Sequence, residues 1–184
     1  ISCLPQYVRG RLTWLSILHR YEHLLDLDVL FGGYIEHRNW ADKTAVFSTG
    51  EDYCSSVAMS SSYVMKAGSH YAEFRFAYEP CIGVARPMPG LGAGAYREEF
   101  TFFDRSFGPD FLAQRSDNWG NGNVHACEFC CGNGIMRWTD WDRDDTDWED
   151  WDGMEGCNDG DTVGMLLNLD EGTLTVYRNN RRLG

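Results

Sequence analysis

Apolar and polar positions alternate most regularly towards the C-terminal end of the chain. Val163, Met165, Leu167 and Leu169 alternate with Gly164, Leu166 and Asn168, the period of a strand with one well-buried face. Asp170-Glu171-Gly172 follows as a short loop, with Gly172 where a three-residue hairpin needs a left-handed residue. Thr173 to Tyr177 return as β-branched and aromatic residues, which fit a pleated surface. Asn179-Asn180 then turns the chain again, because Asn tolerates positive φ. The pattern predicts a β-hairpin with a second turn behind it.

Three further strands are predicted upstream. Ser69 to Phe76 alternates His70, Ala72, Phe74 and Phe76 against Tyr71, Glu73 and Arg75. Ile82-Gly83-Val84-Ala85 is closed by Arg86-Pro87, where Pro stops a central strand. Val124 to Cys131 forms the third run. A Gly- and Pro-rich region from Pro87 to Gly94 and a Phe-rich stretch (Phe100, Phe102, Phe103, Phe107) separate the second run from the third. At the other end, Arg9 to about Leu27 carries Leu12, Leu15, Leu18, Tyr21 and Leu25 at helical spacing. Short strands with turn signals throughout and one helix point to an all-β fold, a two-sheet antiparallel β-sandwich with a short N-terminal helix.

The order of the last hairpin resembles the signature stretch of the SPRY domain family. Gly-Asp at 160–161 opens it, a hydrophobic strand ends in Leu169-Asp170, and Gly172-Thr173-Leu174 makes the turn. An aromatic strand, an Asn turn and Leu183-Gly184 complete the order, with Asn180 where the family has Gly. Gly68-Ser69-His70-Tyr71-Ala72-Glu73-Phe74, Ile82-Gly83-Val84-Ala85-Arg86-Pro87 and Asn118-Trp119-Gly120 extend the likeness. It covers residues 34–184, leaving 1–33 as an N-terminal helical extension, and it implies further strands beyond Leu183-Gly184. It also implies a concanavalin-like sandwich that holds ligands in loops at one end.

Glycine is abundant, at 20 residues spread along the chain, as many tight turns require. The net charge of −12 is concentrated: Asp140 to Asp161 holds eleven acidic residues and a single base, Arg143, a net −10. Nucleic-acid or membrane binding through a basic face is therefore not expected, and Arg178, Arg181 and Arg182 are too few to reverse that. No apolar run reaches the ~18 residues of a membrane span. Seven cysteines, an odd number, with no basic-then-apolar signal segment favour free thiols, and an intracellular, cytoplasmic setting is expected.

The residue types that carry chemistry give weak patterns. His125-x-Cys127-x-x-Cys130-Cys131 with Cys157 offers soft ligands, but no second Cys pair stands at matching spacing, so core cysteines are expected and no metal. The acidic stretch, Asp140, Asp142, Asp144, Asp145, Asp147, Glu149, Asp150 and Asp152, fails the EF-hand pattern: Asp145 stands at the sixth position and Trp151 at the twelfth. A solvated acidic loop is the expectation. Nucleophile elbows and phosphate loops are absent, so neither catalysis nor a cofactor is expected.

Tryptophans are interleaved with the acids. Trp138, Trp141, Trp148 and Trp151, with Trp119 as a neighbour, either cap one end of the sandwich or line a recognition surface. The resemblance implies a non-catalytic module that binds a protein or peptide, often as the substrate-binding part of a larger adaptor or ubiquitin-ligase protein. The expected site is Trp119, Trp138, Trp141, Trp148 and Trp151 with Asp144, Asp145 and Asp147, whose charges favour a basic partner. The alternative is a lectin-like carbohydrate binder, calcium-assisted through the acidic loop.

Overall fold

A computed structural model of the chain describes residues 25–50, 54–119, 122–139, 147–149 and 151–184. The helix expected over Arg9 to about Leu27 lies outside the described residues except for 25–27, which form no helix. Strands dominate what is described, and every pairing is antiparallel. The residues group into two compact units: those up to Tyr63 with Ala93–Glu99, and Val64–Gly92 with Phe100–Gly184.

In the first unit, β1 (Val29–Phe31) pairs with β4 (Val57–Met59), and β2 (Ile35–Asn39) forms a hairpin with β3 (Asp42–Ser48). β1 precedes residue 34 and bonds to a strand well beyond it. Gly32 adopts φ 89°, which L side chains rarely enter. Its N–H and that of Gly33 donate to the carbonyls of Tyr96 and Glu98 at 3.0 and 2.7 Å. Phe31, 3% exposed, packs against the Tyr96 ring at 6.1 Å.

The second unit holds two four-stranded sheets. β5 (Ser69–Arg75), β10 (Thr162–Asn168), β11 (Thr173–Arg178) and β12 (Arg181–Arg182) run in the order β12-β11-β10-β5. β6 (Cys81–Ala85), β7 (Ala126–Cys130), β8 (Met136–Trp138) and β9 (Asp147–Glu149) run in sequence order. The predicted hairpin is β10–β11, with Gly172 at φ 67° in its loop. Asn179 and Asn180 take φ 50° and 64° between β11 and β12, so Asn180 fills a left-handed position that Gly enters at less cost.

Side chains from both sheets meet in one core: Ile82, Phe129 and Cys131 from one side, Val163, Met165 and Val176 from the other. Each fully buried Val or Phe here stabilises the fold by about 1.5–3 kcal/mol. The apolar stripe of β10 fades along its length. Val163 and Met165 are buried, Leu167 is half-buried between His70 and Leu174, and Leu169 is exposed. The strand leaves the core as it approaches its loop. The opposite face is tight at Gly164, where a Cβ would collide with the Tyr71 ring.

The Phe-rich stretch folds into a second cluster. Phe100, 0% exposed, meets Phe102, Phe107 and Phe111 at ring distances of 5.2, 5.3 and 6.0 Å. Asp104 accepts the Ser106 N–H at 2.8 Å and starts the turn that leads into α1 (Gly108–Ala113), with Pro109 in its first turn.

Candidate recognition site

β8 and β9 form an antiparallel hairpin at one edge of their sheet, with Trp138 directly opposite Asp147 and Arg137 opposite Trp148. The acidic loop is the connection of that hairpin. Its residues Trp141, Asp144 and Asp145 lie outside the described residues, and Asp147 and Trp148 are described as backbone in β9. The register therefore sets Trp138 and Asp147 at opposite positions where the loop leaves the sheet.

The base of this hairpin is held by a buried polar network. His125, 4% exposed, lies within hydrogen-bond distance of the Phe102 carbonyl through Nε2 (3.0 Å) and of Thr139 Oγ1 through Nδ1 (2.9 Å). Thr139 Oγ1 also accepts the Ala126 N–H at 3.2 Å. Burial pushes the His125 pKa below the usual imidazole range, so the ring stays neutral and accepts from the Thr139 hydroxyl while donating to Phe102. The loop thus springs from a satisfied, rigid base beside the Phe cluster, with the His125 ring 4.8 Å from that of Phe111.

The remaining tryptophans divide by burial. Trp138 is half-buried in β8. Trp119, 5% exposed, lies under the Arg86 guanidinium at 5.4 Å, and Arg86 Nε donates to the Val124 carbonyl at 2.7 Å. Trp151 packs on the core: its Nε1–H donates to the Gly134 carbonyl at 2.8 Å and its ring sits edge-on to Phe129 at 6.3 Å. A Cβ on Gly153 or Gly184 would run into that ring. Trp119 and Trp151 therefore brace the fold, whereas Trp138 stands at the loop.

Three of the clustered acids are structural. Asp161 accepts from the Asn158 N–H (2.8 Å), Asn179 Nδ2 (2.7 Å) and Arg178 Nε (2.7 Å), and these bonds hold its pKa down at about 2. Glu155 pairs with Arg178 at 2.6 Å and with Arg181. Asp159 accepts the Tyr78 N–H at 2.6 Å. Arg178 and Arg181 are thereby committed to carboxylates of this chain. Among the described residues no helix is long and apolar enough to cross a membrane.

The cysteines group otherwise than the spacing of His125, Cys127, Cys130, Cys131 and Cys157 invites. Phe129 and Cys131 enter the core, while Cys130 meets Cys81, its partner across the β6–β7 ladder. Cys81, Glu128 and Cys130 bring one ligand atom each within 4.8 Å of one another. Cys81 was legible only through register, as the residue that opens the Ile82-Gly83-Val84-Ala85 strand.

No protein-family model matches the chain, and no curated protein matches it.

Proposed function

We propose that the second unit is a two-sheet sandwich of the SPRY type and that it acts as a non-catalytic protein-recognition module. Its partner is a basic peptide or protein segment met by the β8–β9 hairpin and the acidic loop that the hairpin carries. The observation that carries this reading is the pairing of Trp138 with Asp147 at the mouth of a loop dense in Trp and Asp. Aromatic rings supply contact area at low conformational cost, and clustered carboxylates steer a basic partner. The core shared by the two four-stranded sheets, with the SPRY-like stretch forming β10 to β12, supports the fold half of the reading.

A peptide array graded from acidic to basic, probed at low and high salt, tests it. Basic peptides are expected to be retained at low salt and to weaken as salt rises, because exposed charges are screened beyond roughly 8 Å at physiological ionic strength. Trp138→Ala and Trp141→Ala should weaken retention, and joint replacement of Asp144, Asp145 and Asp147 by Asn should slow association. Folded variants that bind at unchanged rate and affinity would remove the loop from recognition. Calcium-dependent retention on a glycan array instead would establish the lectin-like alternative.

A further inference from the structure

The β6–β7 strand pair carries a reactive arrangement that recognition does not use. Cys81 and Cys130 stand opposite each other in the antiparallel ladder. On the next rung the Cys131 N–H donates to the Pro80 carbonyl at 3.0 Å, and beyond the other end of the pairing the Arg86 N–H donates to His125 at 2.8 Å. These bonds alternate with open rungs, and Cys81–Cys130 is an open one. Opposite Cα atoms in such a pair approach to about 4.5 Å, within the roughly 4.4–6.8 Å that a disulfide spans. The sulfurs already lie 2.9 Å apart, with the Cys81 thiol donating to Cys130. Cys81 is exposed and Cys130 half-buried, so a small reagent reaches the pair.

Charged neighbours complete the group. Arg137, register partner of Glu128, forms an ion pair with it and brings Nη2 to 3.7 Å from Cys81 Sγ. The Phe103 ring lies 5.0 Å from this guanidinium and holds it in place. Glu128 is 3.8 Å from Cys130 Sγ and works against a thiolate there; the guanidinium offsets it. The same cation disfavours a metal ion among Cys81, Glu128 and Cys130.

We propose that Cys81 and Cys130 are a redox-active dithiol, converted by a small-molecule disulfide such as oxidised glutathione into a cross-strand disulfide that locks β6 to β7. The Cys130 thiolate attacks one sulfur of the glutathione disulfide. A Cys130–glutathione mixed disulfide forms, and one glutathione leaves as a thiolate that takes up a proton. Cys81 then gives its proton to solvent, its sulfur attacks Cys130 Sγ, and the second glutathione leaves and is protonated. Two protein thiols are oxidised by two electrons, and the reagent is reduced to two thiols.

The hydrogen bond from Cys81 holds Cys130 below the ordinary thiol range and Cys81 above it, which assigns the first attack to Cys130. The other thiols nearby are poorer nucleophiles. Burial pushes Cys127 up to about 11, and burial with the neighbouring Cys157 pushes Cys131, 0% exposed, up to about 12.

The test incubates the reduced chain with graded ratios of reduced to oxidised glutathione, blocks remaining thiols with N-ethylmaleimide and maps linked peptides by mass spectrometry. The expected product is a Cys81–Cys130 crosslink, with Cys127 and Cys131 left reduced. Cys81→Ser should stop at the glutathione adduct on Cys130. Arg137→Met should slow alkylation of Cys130 about tenfold at neutral pH, the effect of one unit of thiol pKa, and Glu128→Gln should quicken it. A different dominant pairing, or no crosslink under oxidising ratios, overturns the proposal. So does zinc(II) protecting both thiols in the wild-type chain but not in Glu128→Gln, which would make the cluster a metal site. Peptide mapping of the wild-type chain needs no variant, so a substitution that unfolds the protein leaves the test intact.

Discussion

Trp151→Ala separates bracing from recognition among the tryptophans. The indole lies edge-on to Phe129, donates to the Gly134 carbonyl and is approached closely by Gly153 and Gly184. Deleting a buried Trp side chain costs about 3–5 kcal/mol, and the half-buried position of this ring puts it near 3. The Gly134 carbonyl, left without its donor, adds about 1 kcal/mol. A loss of roughly 3–4 kcal/mol is expected, which for a chain of this size lowers the melting temperature by roughly 6–16 °C. Trp151→Phe keeps an aromatic ring against Phe129 but not the hydrogen bond, and should cost about 1–2 kcal/mol. Urea unfolding followed by far-ultraviolet circular dichroism, with the thiols kept reduced, measures both. A Trp151→Ala variant that unfolds at the wild-type urea midpoint would refute the bracing role. If it also lost peptide binding, the ring would belong to the recognition surface after all.

Two further outcomes follow from the same geometry. Val163→Asp places a carboxylate at a position with 0% exposure in a central strand and should leave the domain unfolded by circular dichroism; Leu167→Asp, half-buried at the end of that strand, should cost about 1–2 kcal/mol and stay folded. Asp161 is held near pKa 2 against an ordinary 3.8, so its contribution is present above pH 3.8 and lost as the pH falls towards 2. Asp161→Asn should therefore lower the urea midpoint at neutral pH, and the gap to wild type should close across that acid window; a gap that persists at pH 2 would contradict the assignment.

Local pattern carried the sequence reading a long way in the second unit. The β10–β11 hairpin, its Gly172 loop, the Asn179-Asn180 turn and the cores of β5, β6 and β7 follow from period-two alternation and turn chemistry. What failed to show was everything set by register between distant segments. Cys81 and Cys130 meet because two strands pair antiparallel with one particular offset, which neither strand's own pattern specifies. The short strands β1, β2, β3, β4, β8 and β9 were missed because runs of three to seven residues carry little periodic signal. For the candidate site, Trp and Asp composition pointed to the segment that joins β8 to β9. It did not separate Trp151 and Trp119, which the fold consumes, from Trp138 beside the loop.

The pairing of β5 with β10 has a consequence for the order in which the unit is built. Their register joins Ser69–Arg75 to Thr162–Asn168, so the entire β6–β9 sheet lies in the chain between two adjacent strands. Closing so long a loop costs more chain entropy than closing the four-residue turn between β10 and β11, and long-range pairing is slow for that reason. The β10–β11 hairpin is expected to form early, while β10 waits on its other side for β5 to arrive. In pulse-labelling hydrogen exchange, protection of β11 amides should precede that of β5. Until that moment the apolar face of Val163 and Met165 stands without its final neighbours, so synthesis or refolding is most exposed to misassociation between those two steps.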